Sequence, residues 1–149
     1  MPTLTVRPPV YAGTFYEGTS QSLRSQSDYC FRHELGPGML PKTAEGKLRH
    51  IVGMVCPHAG YMYSGPVAAH GYYQLALDGR PDLVVILGPN HTGLGSGLAA
   101  MTEGVWRTPL GDVEIDTATA DRIVKETRVV DVDDRAHIQE HSIEVQLPW

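Results

Sequence analysis

Two apolar runs dominate the pattern along the chain. Ile51-Val52-Gly53-Met54-Val55-Cys56 is stopped by Pro57, and Asp82-Leu83-Val84-Val85-Ile86-Leu87 is stopped by Gly88-Pro89. Short, partly β-branched runs without polar alternation predict strands buried on both faces. Between them, Gly65 to Leu77 predicts a helix with Val67, Ala68, Tyr72, Leu75 and Ala76 on its core face, closed by Gly79-Arg80-Pro81. Strand, helix and strand within about 40 residues predict a right-handed βαβ crossover, with both strands parallel in one sheet and ending on the same side.

The flanking segments are weaker in pattern. Met1 to Gly18 reads as an irregular lead-in broken by Pro2, Pro8, Pro9, Gly13 and Gly18, and Ser20 to His33 as a helix capped by Ser20 and ended at Gly36-Pro37-Gly38. Downstream, Gly93 to Gly97 predicts a flexible loop, Leu98 to Thr102 a short strand, and Val105 to Ile115 a hairpin around Thr108-Pro109-Leu110-Gly111-Asp112. Asp116 to Thr127 predicts a helix with Asp116 as N-cap, Val129 to Val132 an edge strand, and Glu140 to Leu147 a last helix. Ile143, Val145, Leu147 and Trp149 are apolar residues with few evident partners. The expectation is therefore an N-terminal portion of one α/β domain spanning 1–149, truncated at its C-terminal end, with a central, largely parallel sheet flanked by helices.

Composition removes several alternatives. A 42% hydrophobic and 19% charged content describes a globular chain, and no apolar run reaches membrane length. The net charge of -5, with Lys and Arg scattered, offers no basic stripe for a nucleic acid. Met1 to Pro9 lacks the form of a secretory signal, and Cys30 and Cys56 lack CxxC spacing, so cytoplasmic residence is expected.

The chemistry starts where the apolar runs stop. His58 follows Pro57 at the end of the first run, and His91 follows Gly88-Pro89-Asn90 at the end of the second. In open α/β sheets ligands bind beyond the carboxyl ends of the strands. Two imidazoles there predict a shared metal site, suited to Zn, Fe, Ni or Cu. The plainer alternative makes each a hydrogen-bonded loop residue. Asn90 and Thr92 are placed to orient the backbone or the ring in the second loop, with Asn90 and Glu144 as further pocket residues, and Tyr61 to line that pocket or pack at its rim. In the cluster His137 to Glu144, the helical spacing of His137, His141 and Glu144 points to a ligand, a general base or a substrate contact, against an ordinary solvated helix face. His33, His50 and His70 read as structural, and Cys56 as a small buried hydrophobe. Gly93-Leu94-Gly95-Ser96-Gly97 lacks a Walker lysine and is read as a mobile lip.

Five segments in order carry a resemblance. They are Arg7-Pro8-Pro9 with Ala12-Gly13-Thr14-Phe15-Tyr16, Pro57-His58-Ala59-Gly60-Tyr61 with Tyr63-Ser64-Gly65, Gly88-Pro89-Asn90-His91, Trp106-Arg107-Thr108-Pro109-Leu110-Gly111, and Glu140-His141-Ser142-Ile143-Glu144. Together they resemble the Memo family, called AmmeMemoRadiSam system protein B in microbes and related to class III extradiol dioxygenases (LigB-like). The resemblance implies His58 and His91 as metal ligands and His141 as a pocket histidine acting as acid or base. It places a cysteine ligand and a later histidine in the part of the family's chain that follows. The implied cofactor is a divalent metal ion, iron first, with copper or zinc as alternatives. The implied activity is a dioxygenase-like, metal-dependent redox reaction; a non-catalytic peptide or small-ligand module in signalling and a metal-dependent hydrolase remain the alternatives. The microbial family name associates AMMECR-type and radical-SAM proteins as partners.

Overall fold

The computed structural model describes residues 5–46, 48 and 50–149. They form two units, one built from the N-terminal residues to Tyr11 together with Leu87–Pro148, the other from Ala12–Ile86 together with Trp149.

In the first unit, β1 (Val6–Arg7) pairs in parallel with β3 (Val105–Thr108), and β3 pairs antiparallel with β4 (Gly111–Glu114). The hairpin predicted for Val105 to Ile115 is present, with Thr108 opposite Gly111 at its turn. Thr108 Oγ1 donates to the Gly111 carbonyl and accepts from Leu110 N–H, so the threonine closes the turn through its own hydroxyl. β2 (Ala99–Ala100) pairs in parallel with β5 (Asp131–Val132), which realises both short strands expected there. Between these strands α3 (Thr117–Thr127) starts at Asp116, whose carboxylate accepts from Thr119 N–H at 2.8 Å. The buried interior includes Val105, Trp106, Met101, Ala136 and Val145. It also includes Arg7, which the lead-in reading left as irregular chain: its guanidinium carbon lies 4.5 Å above the Trp106 ring.

The second unit is a helix pair. α1 (Ser20–Arg32) is capped by Thr19, one residue before the expected Ser20, whose hydroxyl accepts from Ser22 N–H. It ends as predicted, with Gly36 and Gly38 N–H groups returning to the carbonyls of His33 and Phe31. α2 (Tyr61–Asp78) begins one turn before the predicted Gly65. Pro66 stands inside the helix, where it removes one amide donor. Gly65 faces Cys30 of α1, and a Cβ there would come within 2.5 Å of the thiol sulfur. The missing side chain is what lets the two helices approach. Trp149 stacks on Tyr61 and Tyr72, with ring centroids 4.7 and 5.1 Å away.

Two expectations need correction. Neither Ile51–Cys56 nor 82–87 forms a strand among the described residues, and Val52, Val55 and Leu87 are almost fully exposed. Hydrophobicity favours such strands, but a parallel strand exists only through a neighbour's backbone. None of β1 to β5 pairs with either run. The α/β character stands, carried by three helices with parallel and mixed pairings, but the βαβ crossover does not organise it. The second correction concerns the last helix. Glu140 to Leu147 contains only a 3-10 turn, Glu144–Gln146, so His137, His141 and Glu144 do not share a helical face. The Glu140 side chain takes the amides of His141 and Ser142, which competes with helical bonding at this start.

Candidate metal centre

His91 sits on a loop built by its own short polar side chains. Asn90 Oδ1 accepts from the Thr92 hydroxyl and from Gly93 N–H, Asn90 Nδ2 donates to the Leu94 carbonyl, and Thr92 Oγ1 accepts from Leu94 N–H. This is an Asx turn continued by a threonine turn, and Gly93 and Gly95 supply the positive φ values of 68° and 73° that it needs. Asn90 therefore shapes the loop by organising its backbone. The loop is anchored below by Ser142, whose hydroxyl donates to the Pro89 carbonyl at 3.0 Å.

Glu140 is the hub of the arrangement. Its Oε2 accepts from His91 N–H at 2.6 Å, and its Oε1 accepts from the ring Nδ1 of His91 at 2.9 Å and from the backbone N–H groups of His141 and Ser142, each at 2.9 Å. Burial alone would raise this carboxyl's pKa, but the hydrogen bonds from His91 and Ser142 outweigh it and hold the group down at about 2. The ring of His91 thus meets this carboxylate through Nδ1, which leaves Nε2 on the side of the ring away from it.

His141 lies directly beside His91. The rings stack with centroids 4.6 Å apart and planes 14° from parallel, and Tyr11 meets His141 edge-on at 5.5 Å. His141 Nδ1 is 3.5 Å from the same Glu140 Oε1, so both rings turn their Nδ1 edges toward one carboxylate and their Nε2 atoms away from it. Their candidate ligand atoms lie within 4.8 Å of each other.

Beneath this layer, Glu144 is fully buried and paired with Arg7, and its Oε1 accepts from Tyr11 N–H at 2.8 Å. Arg7 also donates from Nε to the His137 carbonyl and from Nη2 to the Glu140 carbonyl, at 3.1 and 2.8 Å. Glu144, expected in the pocket, is thus part of a buried ion pair that braces the His141 segment. Two of the expected site residues, His58 and Tyr61, belong to the other unit. His58 is half-buried between the apolar run and α2, while Tyr61 is buried at the first turn of α2, where burial and then its neighbours Tyr72, Cys30 and Tyr16 raise its pKa well above the usual tyrosine range. Sequence reasoning grouped Glu140 with His141 without giving it a role, and read Arg7 only as part of a motif. The available signal was a carboxylate directly preceding a histidine in a cluster of histidines.

Comparison with known proteins identifies the family. A family model described as Memo-like protein matches residues 7–149. The chain belongs to the Memo family. A MEMO1 family protein of Methanothermobacter thermautotrophicus is 54% identical over 144 residues, covering 97% of this chain and 51% of that protein. A MEMO1 family protein of Methanopyrus kandleri is 58% identical over 143 residues, covering 96% of this chain and 50% of that protein. One from Sulfurisphaera tokodaii is 53% identical over 145 residues, covering 97% and 51%. The chain spans about half the length of the curated relatives it matches. All the Memo-like motif segments in the chain fall inside the matched range, Arg7 and Glu140 among them.

Proposed function

We propose that this chain contributes the imidazole ligands of a mononuclear divalent-metal centre in a Memo family protein that carries out dioxygenase-like redox chemistry. The observation that carries the reading is the His91–Glu140 pair. A histidine whose Nδ1 is held by a buried carboxylate, leaving Nε2 for the metal, is the form in which metal-binding histidines are commonly set. The donor chemistry fits a borderline metal, and iron(II) is the first choice, with copper or zinc as alternatives. His58 is assigned as the second ligand on the sequence, from its place in Pro57-His58-Ala59-Gly60-Tyr61 and the family resemblance.

His141 is assigned the acid or base role. Its ring stacks on His91, yet it is tied to Glu140 through its backbone N–H at 2.9 Å, with the ring Nδ1 at the longer 3.5 Å. The role follows from the family resemblance, and an imidazole beside a ligand histidine is the side chain suited to proton transfer near neutral pH. Iron bound here would supply Lewis acidity and one-electron exchange with dioxygen. The chain's own residues hold and orient the ligands and move a proton at His141. We place the protein in the cytoplasm, where a reducing compartment suits its two free thiols, Cys30 and Cys56. The family resemblance adds AMMECR-type and radical-SAM proteins as proposed partners.

The test is metal analysis of the full-length protein after anaerobic loading with iron(II). Wild type is expected to hold near-stoichiometric metal, His58→Ala and His91→Ala to lose it, and His141→Ala to retain most of it. Metal content unchanged by His91→Ala sinks the proposal.

A further inference from the structure

We propose that Glu140 is the positioning residue of this centre, fixing His91 in the Nδ1–H tautomer so that Nε2 faces outward, and that Arg7 holds Glu140's segment in place for that task. The inference rests on the metal-centre reading above for its consequence, and on geometry alone for its first half.

Four N–H donors converge on one buried carboxylate: the backbone amides of His91, His141 and Ser142 and the ring Nδ1 of His91. Three of them are amides, which can only donate. A carboxyl group already accepting three amides presents lone pairs, not a proton, to the fourth neighbour, so the imidazole must be the donor. The two bonds to His91 act on different parts of the residue. Oε2 at 2.6 Å sets where the backbone runs, and Oε1 at 2.9 Å sets the ring's rotation and tautomer. Position and orientation of the ring are thus both determined from 49 residues away in the sequence.

A carboxylate can do this only if it does not move. Glu140 is 3% exposed, and the carbonyl of the same residue accepts from Arg7 Nη2 at 2.8 Å. Arg7 is itself held by the His137 and Pro8 carbonyls and by Glu144. The planar guanidinium thereby spans the segment at three points, the carbonyls of residues 137 and 140 and the carboxylate of residue 144. On the other side, Ser142 links the segment to the His91 loop through the Pro89 carbonyl. A Cβ on Gly88 would come within 2.9 Å of Ile143 Cγ1 and even closer to the Ser142 hydroxyl, so the two segments approach as closely as a glycine permits.

A merely structural role for Glu140, capping the turn at His141 and Ser142, would leave the His91 ring unaffected. The experiment therefore reads the ring. In the wild-type chain, long-range ¹H–¹⁵N NMR at alkaline pH, with the His91 signals assigned by their loss in His91→Gln, is expected to show a protonated Nδ1 and a bare Nε2. In Glu140→Gln the amide group must turn an N–H toward one of the convergent donors, and a mixture of tautomers is expected. Calorimetric titration with Co²⁺ as the probe is expected to show about 10- to 100-fold weaker binding in Glu140→Gln than in wild type, the range for losing a ligand's supporting partner. A wild-type His91 protonated on Nε2 overturns the proposal, as does a Glu140→Gln protein with unchanged tautomer and unchanged Co²⁺ affinity. If wild type binds no Co²⁺ while His91 keeps its Nδ1 proton and loses the preference in Glu140→Gln, positioning by Glu140 stands and the metal reading falls. If Glu140→Gln fails to fold, the wild-type tautomer alone decides.

Discussion

The guanidinium of Arg7 and the carboxylate of Glu144 form an ion pair with side chains 4% and 0% exposed, joining residues 137 positions apart. Every strong group in the pair has further partners: the His137, Pro8 and Glu140 carbonyls for Arg7, and Tyr11 N–H for Glu144. Such a pair tolerates loss of one member badly, because the other is left charged and buried. Arg7→Met is expected to lower stability by about 3–5 kcal/mol in urea unfolding, and Arg7→Met combined with Glu144→Leu to recover part of that loss. A single variant with near-wild-type stability would show that the remaining charge finds solvent.

His137 gives a pH dependence with a definite sign. It is buried, its Nε2 has no hydrogen-bond partner among the described residues, and burial pushes its pKa below the usual histidine value. Arg7 acts in the same direction, whereas the bond to the Ala99 backbone and the charges of Asp134 and Asp133 oppose it without reversing the result. The unfolded chain takes up this proton near pH 6.5, the ordinary value, and the folded chain resists it to lower pH. Stability is therefore fully present above about pH 6.5 and declines as pH falls through the folded pKa. Urea midpoints measured against pH are expected to lose this part of their slope in His137→Gln. Parallel curves for the two proteins would refute the assignment.

Gly65 tests the helix pair. Its absent Cβ is what accommodates Cys30 Sγ, and Tyr61 Cβ stands 3.4 Å from the same point. Gly65→Ala is expected to cost about 1–3 kcal/mol through overpacking, even though alanine is the better helix former. Adding Cys30→Ala removes the colliding sulfur and should return much of the loss in thermal unfolding. An additive pair would mean that the contact is not the cause.

Asp116 tests a local signal. Asp116→Ala removes the acceptor for Thr119 N–H and is expected to lower stability by about 1 kcal/mol, while Asp116→Asn should change it little. Equal losses in both variants would point to the charge and not to the cap.

These cases divide along the range of the interactions involved. Asp116 at a helix start, Gly79 after α2, the Thr108–Gly111 turn and the Asn90 turn are all set by neighbours a few residues away, and their chemistry is visible in the sequence. Ile51–Cys56 and 82–87 show the limit of that approach. Their composition states a preference for strand, but the ladder depends on a backbone contributed by another segment, and no local pattern specifies which.

The candidate centre follows the same division. The sequence by itself determined the family, the histidines worth testing and the loop that presents His91, because motif order and short-range turn chemistry are written residue by residue. Only the tertiary structure decided that Glu140 holds the His91 ring, that His141 stacks on it, and that Glu144 belongs to Arg7 instead of a pocket. The reason is that a buried carboxylate acts through whichever donors the folded chain brings to it. Those donors come from 49 and 137 positions away, distances over which spacing along the chain carries no geometric information.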